Sequence, residues 1–191
     1  MLMFVRIGCV VLALALAGCE RPSPAPAGAG DGPQLDAPAP ESEPSRAFAA
    51  SNDAARAATG ELNVSTALRL PDAGQAGADA QEILTLRAGN GLVIEAEITG
   101  VLSPATQVQN QTLRALLAIP VEASQTLVYR VNRETKTLDG RGLCGADNAA
   151  FVVVWEPPGP GEPVMKLLGV SGGAPGAADA RACPMLEYRR G

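Results

Sequence analysis

The 191-residue chain contains no histidine. That removes the imidazole on which Ser-His and Cys-His nucleophiles, the usual zinc sites and the HExxH helix depend. Aromatic residues are scarce, at 3% of the chain, so a core must come from Val, Leu, Ile and Ala. Lys136 and Lys166 are the only lysines, the formal net charge is −5, and no basic run exceeds Arg189-Arg190. A phosphate backbone requires clustered Lys and Arg, so no nucleic-acid partner is expected. The four cysteines include no Cys-x-x-Cys pair, which argues against a redox or metal dithiol.

What is present begins with a processing signal. Arg6 precedes an apolar stretch over residues 7–17, the charged head and short apolar middle of a secretory leader. The stretch falls short of the roughly 20 apolar residues of a permanent membrane-spanning helix. It ends at Leu16-Ala17-Gly18-Cys19, with small residues that fit a narrow peptidase groove and a thiol able to form a thioether.

This tetrapeptide resembles the lipobox of bacterial lipoprotein precursors. The resemblance covers residues 1–19. It implies that residues 1–18 leave as a signal peptide, that Cys19 is diacylated, and that the new amino terminus gains a third chain. Two or more chains hold a protein on a membrane stably, at about 0.8 kcal/mol per buried CH₂. Glu20 stands where aspartate would retain such a protein at the inner membrane. The expected location is therefore the outer membrane, periplasmic face.

Seven of the 27 residues 20–46 are proline, and Leu35 is the only large aliphatic among them. Such a segment buries too little apolar surface to offset its ordering entropy. Residues 19–46 are expected to form a disordered tether headed by the lipidated Cys19, extended by up to about 3.1 Å per residue. The tether would hold a globular domain, residues 47–191, away from the bilayer.

The domain opens with an Ala-rich helix signal: Ser51 or Asn52 as cap, Asp53 in the first turn, Gly60 just past the end. The period then changes to two. Leu62, Val64, Thr66, Leu68 and Leu70 share one face, with Asn63, Ser65 and Arg69 opposite. A hairpin follows a loop over residues 71–80, with Gly89-Asn90-Gly91 supplying positive φ angles to the turn. Its return strand sets Leu92, Ile94, Ala96 and Ile98 against Glu95, Glu97 and Thr99. Leu127, Tyr129 and Val131 alternate with Val128 and Arg130, while FVVVWE is apolar on both faces, as a central strand would be. PVMKLLGV and CPMLEYRR complete the set. Residues 105–118 read equally as helix or strand. Six or seven strands and one or two short helices predict a mainly β (α+β) fold: an antiparallel sheet, as a small sandwich or barrel, with a helix against it.

On the lipobox resemblance Cys9 would leave with the leader and Cys19 would be acylated, so Cys144 and Cys183 would remain in an oxidising compartment where disulfides persist. A bridge between them closes a loop of about 40 residues and contributes roughly 3–4 kcal/mol in the chain-entropy model. The run GLCG, VVVWE, LLGVSG and a closing Cys before an aromatic strand resembles other small bacterial envelope lipoproteins, without indicating an activity.

Candidate chemistry is sparse. Glu95 and Glu97 lie about 7 Å apart on one strand face and form a weak candidate carboxylate pair of the glycosidase kind, although paired acids on a solvated strand are ordinary. Asp139, Asp147 and Asn148 flank GRGLCGADN without calcium-loop spacing, which reads as a turn. Ser65, Ser124 and Ser171 have no histidine to activate them, leaving only a Ser-Lys arrangement with Lys136 or Lys166. Asn63 and Asn110 match glycosylation sequons, without consequence in a bacterial lipoprotein. Trp155 and Tyr188 read as an exposed patch or, because Trp155 ends an apolar strand, as core. No cofactor or metal is expected. These features predict a lipid-anchored, non-enzymatic module that binds an envelope protein or a ligand in the periplasm. The alternative is a cell-wall or lipid hydrolase using carboxylates or a Ser-Lys pair.

Overall fold

The computed structural model describes residues 44–71, 79–159 and 163–191. The expected signal peptide, Cys19, nearly all of the expected tether and most of the 71–80 loop lie outside them.

Ten strands and two short helices follow one another: β1 (Arg46–Ala50), α1 (Asp53–Ala58), β2 (Leu62–Arg69), β3 (Gln81–Ala88), β4 (Val93–Leu102), β5 (Gln107–Val108), β6 (Gln111–Thr112), α2 (Leu113–Leu116), β7 (Thr126–Thr135), β8 (Phe151–Trp155), β9 (Val164–Ser171) and β10 (Arg181–Arg190). Eight strands close into an antiparallel barrel in the order β1-β10-β9-β8-β7-β4-β3-β2. The mainly β, antiparallel expectation holds, as a barrel. The expected count of strands was low for two reasons. Strand β1 lies where the tether was expected to end and a helix to begin, and β5 and β6 are only two residues each. Closure pairs β1 with both β10 and β2, so the barrel has no free edge.

Period-two alternation fills the interior. Leu62, Val64, Leu84, Leu86, Ile94, Ala96, Val152, Val154, Met165 and Leu167 share one buried cluster with Tyr129 and Tyr188. A second cluster explains why β8 is apolar on both faces. Val153, Trp155, Val128 and Leu168 point outward, yet they are covered by Val108, Leu113, Leu117 and Ile119 from the β5–β6–α2 excursion. Residues 105–118 thus resolve as both readings: a tight hairpin followed by one helical turn. Gln109 and Asn110 both take positive φ, 51° and 64°, in the two-residue turn between β5 and β6.

Three irregularities shape the wall. Between β4 and β7 the register shifts at Glu95/Ala96 and at Ile98/Gly100, and such bulges bend and twist a sheet toward closure. Between β9 and β10 it shifts between Ala182 and Met185. Pro184 there has no N–H to give the ladder. In the β3–β4 turn only Gly91 of the three expected residues has a positive φ, 91°; Asn90 instead uses its side-chain oxygen to accept the Leu92 N–H at 3.2 Å.

Helix α1 is capped as expected. The Asn52 side chain accepts the Ala55 N–H at 2.9 Å, and Gly60 follows with φ 66°. Asn52 also accepts the Glu187 N–H at 3.2 Å and donates to the Met185 carbonyl at 3.0 Å. It therefore fixes α1 across one end of the barrel, where Ala55 is fully buried. Cys144 and Cys183 form the expected disulfide, with Cα atoms 5.1 Å apart. It joins the β7–β8 loop to the bulge in β10.

Candidate functional site: the open mouth of the barrel

Strand direction places the two barrel ends. Helix α1, the β3–β4 turn and the β7–β8 loop gather at one end. Residues near the start of β1, β3, β7 and β9 and near the finish of β2 and β8 gather at the other. There a cavity of about 340 Å³ enters the barrel. Val64, Leu84, Leu86, Val154 and Met165 line it with Thr66 and Gln125, and Arg46, Glu82, Glu156 and the buried Tyr129 supply its charged and phenolic groups. An eight-stranded barrel is just wide enough either to be filled by its own side chains or to hold one small ligand. Among the described residues it is filled toward α1 and open at the mouth.

The rim carries two polar pairs. The Arg46 guanidinium donates to both oxygens of Glu156, at 2.8 and 3.2 Å, and lies 5.5 Å from the centre of the Phe48 ring. Tyr129 donates its hydroxyl to Glu82 Oε1 at 2.7 Å. Burial, then the Glu82 carboxylate and the more distant Glu156, push the Tyr129 phenol well above its ordinary range, opposed by Arg46. Tyr129 is thus held as a neutral hydrogen-bond donor. Among the described residues no cation lies within ion-pair distance of Glu82.

Apolar side chains continue onto the rim. Leu68 pairs with Glu82 across β2 and β3, Leu127 with Val154 across β7 and β8, and Val101 with Leu127 across β4 and β7. Paired residues share a face, so all three lie on the interior side. They are nonetheless 51%, 36% and 55% exposed. A second hollow, about 360 Å³, lies at the plugged end between α1, Leu143 and Leu186. Its polar groups satisfy one another: Asp139 pairs with Arg141 at 3.2 Å and accepts from Thr137, a bond that lowers the Asp139 carboxyl below its ordinary range.

The residues singled out in the sequence lie elsewhere. Glu95 and Glu97 project from β4 on the outer face. Glu95 pairs with Arg133 at 2.6 Å, and Glu97 with Arg130 at 3.6 Å and Asn132 at 3.3 Å. Each acid is thus matched to a cross-strand partner, and the two do not converge on a cleft. Lys136 donates to the Ala146 carbonyl at 2.5 Å and Lys166 to the Ala118 carbonyl at 2.7 Å. Lys166 also lies 3.7 Å from Glu187, which accepts the Ser51 hydroxyl at 2.9 Å. In that row the serine hydroxyl is bonded to the Glu187 carboxylate and not to the Lys166 ammonium, so no Ser-Lys pair forms there. Ser171 is nearly buried, and Trp155 and Tyr188 both belong to the core. No group of three or more potential metal-ligating side chains occurs among the described residues.

Sequence reasoning missed Arg46, Glu82, Tyr129 and Glu156 as a set. Arg46 falls within the expected tether, and in the sequence Tyr129 shows only an alternation with Leu127 and Val131. One signal was available: Glu82 sits on the same alternation as Leu84 and Leu86, an acid on the apolar face of a strand. No protein-family model, curated protein or solved structure matches the chain.

Proposed function

We propose that this protein is a lipid-anchored module of the cell envelope, held at the outer membrane by Cys19 and facing the periplasm, that binds rather than catalyses. It takes its ligand, or the inserted side chain of a protein partner, at the open mouth of the barrel. The observation that carries the binding part is the mouth itself: a 340 Å³ cavity with an apolar interior and a few convergent polar groups, the usual make-up of a ligand site. The anchoring part rests on the lipobox resemblance at Leu16-Ala17-Gly18-Cys19. No described helix is long and apolar enough to cross a membrane. The hydrolase alternative draws no support from the outward-facing, arginine-paired Glu95 and Glu97 or from the two lysines bound to backbone carbonyls.

Photo-crosslinking in the native envelope tests this. A photoreactive residue at position 127, on the mouth, is compared with one at position 138, on the loop at the plugged end, where Leu138 is fully exposed. The expected result is a discrete adduct from position 127 that is absent from 138 and lost when Cys19→Ser releases the chain from the membrane. Equal adducts from both positions, none from 127, or an unchanged pattern in Cys19→Ser would overturn the proposal.

A further inference from the structure

We infer that the mouth selects a small amphiphile with a cationic amine head, its alkyl body entering the barrel and its ammonium held by Glu82 beside Tyr129. This rests on the mouth being the ligand-binding end. Three observations lead to it.

The first is shape and lining. The cavity volume of 340 Å³ lies at the small end of the roughly 300–1,000 Å³ of small-molecule sites, suited to one chain rather than a bulky body. Val64, Leu84, Leu86 and Met165 offer a buried chain only apolar contact. At the rim Leu68 and Leu127 hold exposed apolar surface on the interior side, where a chain leaving the barrel would cover it.

The second is charge. Among the described residues that line the cavity, two are carboxylates, Glu82 and Glu156, and one is a guanidinium, Arg46. Arg46 is engaged by both oxygens of Glu156. Glu82 receives one neutral hydroxyl, on Oε1, and a carboxylate accepts several donors. Its Oε2 is therefore the acceptor that an incoming ammonium would use, as a charge-assisted hydrogen bond. A cavity with low-dielectric walls and an excess of one sign concentrates ligands of the opposite sign.

The third is discrimination. A carboxylate head at the same depth would meet Glu82 and Glu156 with the cavity's lining guanidinium, Arg46, already bound to Glu156, and its desolvation would go uncompensated. An uncharged alcohol would gain the apolar contacts without the ionic one.

The test uses the full chain with Cys19→Ser, oxidised, titrated calorimetrically at pH 7 with decylamine, decanol and decanoate below their aggregation concentrations. Decylamine is expected to bind saturably at one site and at least tenfold more tightly than decanol, with decanoate weakest. Glu82→Gln keeps an acceptor for Tyr129 while removing the charge. It should erase the preference for the amine and leave decanol unchanged. Leu127→Trp, which narrows the mouth at an exposed position, should weaken both. Decanoate binding as tightly as decylamine, or decylamine binding unaltered in Glu82→Gln, would overturn the amine assignment while leaving the mouth as a ligand site. Failure of all three compounds to bind would remove the small-ligand reading of the mouth as well.

Discussion

The hydroxyl oxygens of Tyr188 and Thr59 lie 2.7 Å apart, which ties the helix that plugs the barrel to a fully buried residue of its wall. Burial pushes the Tyr188 phenol up to about 12, opposed by the Thr59 hydrogen bond, and the Tyr129 phenol is also raised. The unfolded chain loses phenolic protons near pH 10, whereas the native state retains them. Stability from this source is complete below about pH 10 and falls as pH rises toward 12, by an amount on the order of 3 kcal/mol for Tyr188. Urea midpoints measured between pH 8 and 12 should show that decline. Tyr188→Phe should cost about 1 kcal/mol at pH 8 and make the alkaline decline shallower. An equally steep decline in that variant would refute the assignment.

The Cys144–Cys183 bridge spans a sequence separation of 39. In the chain-entropy model its loss costs about 4 kcal/mol, so the Cys144→Ser, Cys183→Ser double variant should unfold at a clearly lower urea concentration. Gly169 makes room for the bridge: an added Cβ would sit 2.9 Å from Cys144 Sγ and 3.0 Å from Leu143 Cδ2. Gly169→Ala should destabilise the oxidised protein by about 1–3 kcal/mol. Free-thiol titration shows whether the bridge still closes in that variant.

Glu134 organises the loop that carries Cys144. Its two oxygens accept the Leu143 N–H at 2.7 Å and the Ala149 N–H at 2.9 Å. Glu134→Ala leaves both amides without that acceptor and should cost about 2–4 kcal/mol, with faster amide exchange at Leu143 and Ala149. Glu134→Gln, which keeps only one good acceptor oxygen, should fall between. Unchanged exchange in Glu134→Ala would show that the loop is held by other contacts.

Glu95 and Glu97 should prove ordinary surface partners. Arg133 and Arg130 are 66% and 58% exposed at the side chain, and such pairs contribute little. Replacing both acids by Gln should change stability by less than about 1 kcal/mol and leave binding at the mouth unaltered. A loss of any wall- or lipid-hydrolysing activity in this double variant would instead revive the carboxylate hydrolase.

Much of the architecture was legible because it depends on local rules. The cap at Asn52 and the glycine at Gly60 mark α1 by hydrogen-bonding and φ requirements that act within a few residues. Alternation placed Leu62, Val64, Ile94 and Ala96 inward, since a strand buried on one face repeats every two residues. The same rule was less informative at β8, where both faces are covered, and at residues 105–118. There Val108, Leu113 and Leu117 are buried by the outer wall of the barrel rather than by their own element's neighbours. The polar mouth was invisible for a different reason. Arg46 and Glu156 are 110 residues apart, and Glu82 and Tyr129 are 47 apart. No local pattern encodes such pairs.

The sequence by itself determined the segment-by-segment character of this protein: an apolar run ending at Cys19, a proline-rich stretch, one capped helix, alternating strands, and a pair of cysteines, Cys144 and Cys183, in the folded part. These follow from composition, period and short-range hydrogen bonding, which act along the chain. Only the tertiary structure decided that the strands close into a barrel, that β5, β6 and α2 cover its outer wall, and that α1 plugs one end while a cavity enters the other. It alone set Glu82 beside Tyr129 and Arg46 on Glu156. Closure and register are chosen by which faces can be buried together, a property of the whole set of strands and of no single one.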